Sequence, residues 1–265
     1  MIDIDQSITN QKNSGLCWTF AALNMLHLKM IKEYNLKDFE LSQPYLFFYD
    51  KLERSNWFLE SILKMLDKDL DSRMVQHLLK DPISDGGQWD MFVALIEKYT
   101  PQYLGNVVGT KDVHYINLPI NDFKRYAIET IKSGCPAWFG LHVEKFSMQK
   151  NDMVDLDVID YKSAFNINFG LNKAEQMQYH DSHITHIVAL TGVHIEDDKP
   201  VRWQIENSYG EDHSNKGYLT MTDKWFDEFA YVIVVDKNDL PSEILAVLDQ
   251  DAIVLPPWNP MSRIK

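Results

Sequence analysis

The run Phe20-Ala-Ala-Leu23-Asn-Met-Leu26-His-Leu28-Lys-Met30-Ile31 is apolar on most helical faces. That pattern predicts a buried helix rather than one with a single wet side. Asn35 follows as a residue that tolerates the left-handed conformation of a C-terminal cap. Leu41-Ser42-Gln43-Pro44 then offers a capping hydroxyl and a proline acceptable only in a first turn. Helices are predicted at about 43–54, 56–68 and 72–80, the last stopped by Pro82. After Asp85-Gly86-Gly87-Gln88 a further helical pattern runs from Trp89 to Tyr99.

Beyond Tyr103 the period changes. Gly105, Gly109 and Pro119 punctuate a link, one more helix is predicted at about 120–132, and short β-branched and aromatic segments follow at 137–143, 184–193, 201–206, 217–221 and 231–235. Bounded by turn residues, these read as strands, with Asp197-Asp-Lys-Pro200 as a hairpin loop. A helical first half and an antiparallel-β second half predict an α+β molecule of two lobes. Sites tend to lie in the cleft between such lobes.

Composition narrows the functional classes. The net charge of −13 repels phosphate backbones and argues against a nucleic-acid partner. The longest apolar runs fall short of the ~20 residues of a membrane span. Met1 to Ser7 lacks the basic and apolar regions of a signal peptide. Two cysteines, Cys17 and Cys135, are too few for a disulfide-built secreted protein of 265 residues. A soluble cytoplasmic protein is the expectation, with no membrane partner.

The chemistry centres on Gln11-Lys-Asn-Ser-Gly15-Leu-Cys17-Trp18. A thiol here sits where a turn enters a helix, and unpaired N–H groups and the macrodipole favour an anion there. Such placement can lower a cysteine pKa and yield a nucleophile. On this stretch alone a buried core cysteine fits equally well. His186 opens a strand-like run and Asn207 ends the next one. Neighbouring antiparallel strands could set the imidazole beside the carboxamide, which fixes the tautomer. Cys-His-Asn is a known variant of triad logic. His180, His183, His194 and His213 flank the region, mostly as expected loop residues, but match no zinc spacing, so neither a metal nor a cofactor is predicted.

These pieces in this order resemble the papain-like cysteine peptidases, and within them the bleomycin hydrolase and aminopeptidase C family. The resemblance rests on Ile8 to Trp18, Leu41-Ser-Gln-Pro-Tyr-Leu-Phe-Phe48, Asp85-Gly-Gly-Gln-Trp-Asp-Met91, Tyr103-Leu-Gly-Asn-Val-Val-Gly109, Ala137-Trp-Phe-Gly140, Thr185-His186, Glu206-Asn-Ser-Tyr-Gly-Glu-Asp-His213, Gly217 to Asp223, Leu245 to Leu248 and Ile253 to Met261. It implies a helical left lobe and a barrel-like antiparallel right lobe around a cleft. The corresponding division is 1–110, 111–254 and a C-terminal arm, 255–265. It implies Cys17 as nucleophile, His186 as base and Asn207 as the group orienting the base. Gln11 and the Cys17 N–H would form an oxyanion hole, and Gly86 and Gly87 would line an extended peptide substrate. The arm would block one end of the cleft, and the carboxylate of Lys265, itself a candidate for trimming, would receive the substrate's amino group.

Three departures stand out against the family pattern. Only ten residues precede Gln11. A long helical insert expected between Tyr99 and Tyr103 is missing, which puts the family's homo-hexamer in doubt. Tyr209 replaces a tryptophan that shields the His–Asn hydrogen bond. The expected activity is removal of N-terminal amino acids from peptides, or from amide analogues such as bleomycin, through an acyl-enzyme. Alternatives are an endopeptidase with an undocked arm and an inactive scaffold.

Overall fold

The computed structural model describes residues 1–4, 8–36, 39–99, 115–148, 152–256 and 258–262. In chain order the first elements are β1 (Ile2–Asp3), α1 (Cys17–Tyr34), α2 (Gln43–Leu63), α3 (Arg73–Lys80), α4 (Trp89–Tyr99) and α5 (Ile120–Lys132). Then come β2 (Ala137–Leu141), β3 (Ser147–Met148), β4 (Met153–Val154), α6 (Tyr161–Phe165) and α7 (Lys173–Gln178). The last part holds β5 (His186–Glu196), β6 (Lys199–Glu206), β7 (Tyr218–Thr222), α8 (Asp223–Phe229) and β8 (Ala230–Ile233).

α1 ends as the sequence predicts. Asn35 adopts φ 50°, ψ 45° and its N–H returns to the Ile31 carbonyl. Ser42 Oγ accepts from the Tyr45 N–H, and Pro44 occupies the first turn of α2. The two helices predicted at 43–54 and 56–68 are in fact one, ending at Leu63. The polar Arg54-Ser55-Asn56 does not break it, because Ser55 Oγ donates to the Lys51 carbonyl at 2.7 Å and Arg54 is held within the fold. α8, which has no counterpart among the predicted elements, begins at a Thr222 cap whose hydroxyl accepts from the Trp225 N–H.

The strands form one sheet in the order β3-β4-β7-β6-β5-β2-β8, with β1 pairing β5 off this path. Pairing is antiparallel except between β4 and β7. His194, expected in a loop, lies on β5. One face of the sheet carries the larger core, in which Phe139 and Trp203 pack with Phe226 and Phe229 of α8 and with Ala127 and Ile131 of α5. Each phenyl ring taken from water contributes roughly 2–3 kcal/mol. The other core joins Trp18, Ala21 and Ala22 of α1 to Leu46, Phe92 and Leu95 from α2 and α4, and to Trp138, Ile187 and Val232 of the sheet. α1 thus lies between the helices and the sheet, packed against β5. This explains why its pattern is apolar on most faces. α2 covers the helical side with one face only, and Phe48, Leu52, Leu59 and Leu63 are exposed on it.

Candidate active site

Cys17 is the first residue of α1 and His186 the first of β5, so the α1–β5 packing brings them to one place. The Ile187 backbone N–H acts directly on the thiol, as do those of Cys17 and Trp18. Both side chains are buried, Cys17 to 4% exposure and His186 to 3%. Burial pushes the thiol up to about 11, outweighing the N–H groups that pull it down. This corrects the expectation that the helix start alone would lower it. An anion in this apolar setting needs a compensating cation.

His186, whose chain neighbour Ile187 reaches the thiol through its N–H, is the candidate for that cation. Its Nε2–H donates to Asn207 Oδ1 at 2.8 Å. The same oxygen accepts from the Ser208 N–H at 3.0 Å, which identifies it as the carbonyl end of the amide. The proton is therefore on Nε2, and Nδ1 keeps its lone pair. Burial lowers the imidazole pKa, while the Asn207 hydrogen bond and the Glu144 charge pull it back up. The Tyr209 ring lies nearly parallel to the imidazole, at 5.4 Å between centroids and 10° between planes. It covers part of the face that an indole would cover.

Gln11 is buried at the same point and held from both ends. Ser208 Oγ donates to its Oε1, and its Nε2 donates to the Ser14 carbonyl at 2.7 Å. An amide nitrogen has two hydrogens, so one remains to point elsewhere. The loop carrying Gln11 is stitched to the segment after β6. Gln11 N–H donates to Ser208 O at 2.7 Å, Gly210 N–H donates to Thr9 O at 3.0 Å, and Asn10 bridges Tyr209. Gly210 has φ +87°, and a Cβ there would stand 2.6 Å from the Asn10 side chain, so only glycine fits.

Gly86 and Gly87 run across Trp18, beside the thiol. The Trp18 indole donates to the Asp85 carbonyl at 2.8 Å, and a Cβ on Gly87 would strike the indole at 2.5 Å. Among the described residues the Gly86 carbonyl is engaged, accepting from Arg54 at 2.7 Å, whereas the Gly87 backbone has no hydrogen-bond partner. Arg54 also grips Asp50 and Ser84, and Lys51 pairs with Asp85. Arg54 and Asp50 are absent from the sequence reading, and Ser14 and Ser208 enter it only as letters of motifs with no role of their own. Only the Arg54–Asp50 spacing of four on a helix hinted at one of these contacts.

The arm reaches the same end of the cleft. Met261 packs against the core that holds Cys17 and Trp18, and its carbonyl accepts from Gln88 at 3.4 Å. Trp258 stacks under Arg73 at 4.0 Å. Lys265 lies outside the described residues. Among those residues no cluster of His, Cys, Asp and Glu could hold a metal ion.

This geometry has close counterparts. The model of the Peptidase C1-like family matches residues 1–102 and 99–262. Bleomycin hydrolase of Gallus gallus is 31% identical over 390 residues, covering 97% of this chain and 86% of the relative. Aminopeptidase C of Streptococcus thermophilus is 32% identical over 383 residues, with the same coverages. The crystal structure of PepW from Lactobacillus rhamnosis HN001 superimposes with a TM-score of 0.93 at 31% identity, over 100% of this chain and 88% of that one. The chain belongs to the Peptidase C1-like family and has the papain-like fold. Within that class it is a cysteine aminopeptidase, a hydrolase. The aligned lengths exceed the 265 residues present, and the two matched pieces meet at 99–102, where the chain runs on without the insert.

Proposed function

We propose that this chain is a cytoplasmic thiol aminopeptidase in which Cys17, His186 and Asn207 form the catalytic set and Gln11 the oxyanion donor. Its substrates are peptides with a free amino end, together with amide analogues such as the bleomycin named in its relatives. His186 Nδ1 takes the thiol proton, and Cys17 Sγ attacks the first peptide carbonyl. The imidazolium compensates the buried thiolate, as the high thiol pKa requires. The remaining Gln11 Nε2 hydrogen and the Cys17 N–H, which has no intrahelical acceptor, stabilise the oxyanion. The imidazolium returns its proton to the departing amine. Water activated by the same Nδ1 then hydrolyses the acyl-enzyme and regenerates the thiol.

The observation that carries the reading is the His186–Asn207 bond, with the amide orientation fixed by Ser208. The contact of Met261 with Gln88 beside Gly87 supports an arm docked in the cleft, and hence exopeptidase over endopeptidase action. Receipt of the substrate's amino group by the Lys265 carboxylate is part of this proposal. The reading does not require the family hexamer. Absence of a helix long and apolar enough to cross a membrane among the described residues is compatible with a cytoplasmic location.

A fluorogenic aminoacyl amide tests it. The intact chain releases the fluorophore, Cys17→Ala does not, and an N-acetylated substrate is refused. Turnover by Cys17→Ala would overturn the assignment.

A further inference from the structure

The side of the cleft away from the arm carries a charge that the reaction does not use. β2 ends at Leu141, the cross-strand partner of His186, and Glu144 follows three residues later. Its side chain is 77% exposed. Its carboxylate is near enough to both His186 and Tyr209 to act on each electrostatically. Among the described residues no lysine or arginine lies within ion-pair distance of it. Lys145 is committed to Asp181 at 3.0 Å. The remaining neighbour is His142, whose Nε2 lies 4.0 Å away. Burial, aided by the charges of His183 and Lys145, holds that ring to about 4, so it is neutral at pH 7. Glu144 is thus an exposed carboxylate just past the strand partner of His186, close enough to act on His186 and Tyr209 and with no lysine or arginine paired to it among the described residues.

The arm fixes the direction of the substrate. Its described residues lie against Arg73 and Gln88, on the Gly86–Gly87 side of the thiol. With the amino end of a peptide toward the arm, the departing chain passes His186 and leaves by Tyr209 and Glu144. We propose that Glu144 selects peptides with lysine or arginine immediately after the scissile bond. This rests on the aminopeptidase reading and its docked arm.

The test uses the full chain and the tripeptides Ala-Lys-Ala, Ala-Gln-Ala and Ala-Glu-Ala, with an alanyl-coumarin amide as divisor so that effects common to all substrates cancel. The intact enzyme shows kcat/KM in the order Lys, Gln, Glu, with roughly three- to fivefold per step, the size expected of an exposed charge pair. Added salt compresses the series. Glu144→Gln brings the Lys-to-Gln ratio near one, and Glu144→Lys reverses the order. An unchanged ratio in Glu144→Gln overturns the proposal. So does an equal loss on all three peptides, which would mean that Glu144 holds the α-amino group instead. Failure of the intact enzyme on every substrate, the coumarin amide included, overturns the aminopeptidase reading itself, a result distinct from the other two.

Discussion

His186 opens β5 and Asn207 directly follows the paired strand β6, whereas Cys17 and Gln11 stand on a helix start and the loop before it. On the strand side, β5 is buried from His186 through Val193 and hydrogen-bonded to β2 and β6. The ladder fixes the backbone on both flanks, so two side chains suffice to complete the dyad. On the thiol side the loop 8–16 has no ladder. Its placement comes from single hydrogen bonds to residues 208–210 and from α2, which clamps residues 84–86 while leaving its own outer face exposed. The placement of Cys17 is therefore imported from the opposite lobe, while that of His186 is built in. Damage to the thiol side should act through a few named polar contacts, and damage to the base side through the sheet as a whole.

The largest expected effect is at the α2 clamp. Asp50 is buried against Arg54, and burial raises its pKa despite the guanidinium. Arg54→Met leaves that carboxylate uncompensated and frees the Gly86 carbonyl, at an expected cost of about 3–5 kcal/mol in urea unfolding. A loss below about 1 kcal/mol would show that the clamp is not what holds the thiol side.

Next is a pH effect at the seam between the two sides. Glu206 joins β6 to α1 by accepting from Asn24 at 2.6 Å, and its other oxygen has no partner among the described residues. Burial raises its pKa to about 8. The native chain holds this proton more tightly than the unfolded chain does. Stability should therefore fall as pH rises from the ordinary carboxylate range to about 8, then level off, by at most ~1.4 kcal/mol per pH unit. Glu206→Gln should flatten that slope between pH 5 and 8, as read from melting temperatures. An identical slope in the variant would assign the pH dependence elsewhere.

The smallest effect concerns one hydroxyl. Ser208→Ala removes the donor to Gln11 Oε1 and should cost about 1 kcal/mol of stability. The accompanying fall in kcat should be roughly tenfold, short of the ~10²–10³-fold expected from losing an oxyanion donor outright. If kcat is untouched while KM rises, Gln11 serves binding rather than the oxyanion.

What the sequence disclosed follows the same division. Local signals were readable: the Asn35 cap, the Ser42–Pro44 start, and α5, which falls at Ile120–Lys132 as predicted. The strands carrying His186 and Asn207 announced themselves by β-branched runs, and the motif around Cys17 by its resemblance to a family. Missed features depend on distant partners. α2 looked interrupted because Arg54 reads as polar surface until Asp50 and Gly86 are seen beside it. α8 was passed over although Thr222-Asp223 is a serviceable helix start. Ser208 appeared as one motif letter, and nothing local says that its hydroxyl meets residue 11. For the thiol, the helix start that favours an anion is visible in sequence and the burial that opposes it is not.

The pairing of Ile2 with Val193 and Asp3 with Gly192 bears on when the enzyme becomes dangerous to its maker. During synthesis Cys17 emerges early, but His186, Asn207 and the strand to which residues 2–3 anneal are all made much later. On the proposed mechanism, a growing chain carries the thiol before its proton acceptor exists and before Gln11 is anchored to residues 208–210. Contacts so distant in sequence also form slowly. On the proposed mechanism, proteolytic competence thus belongs to the finished molecule, and a product truncated before His186 carries an inert cysteine.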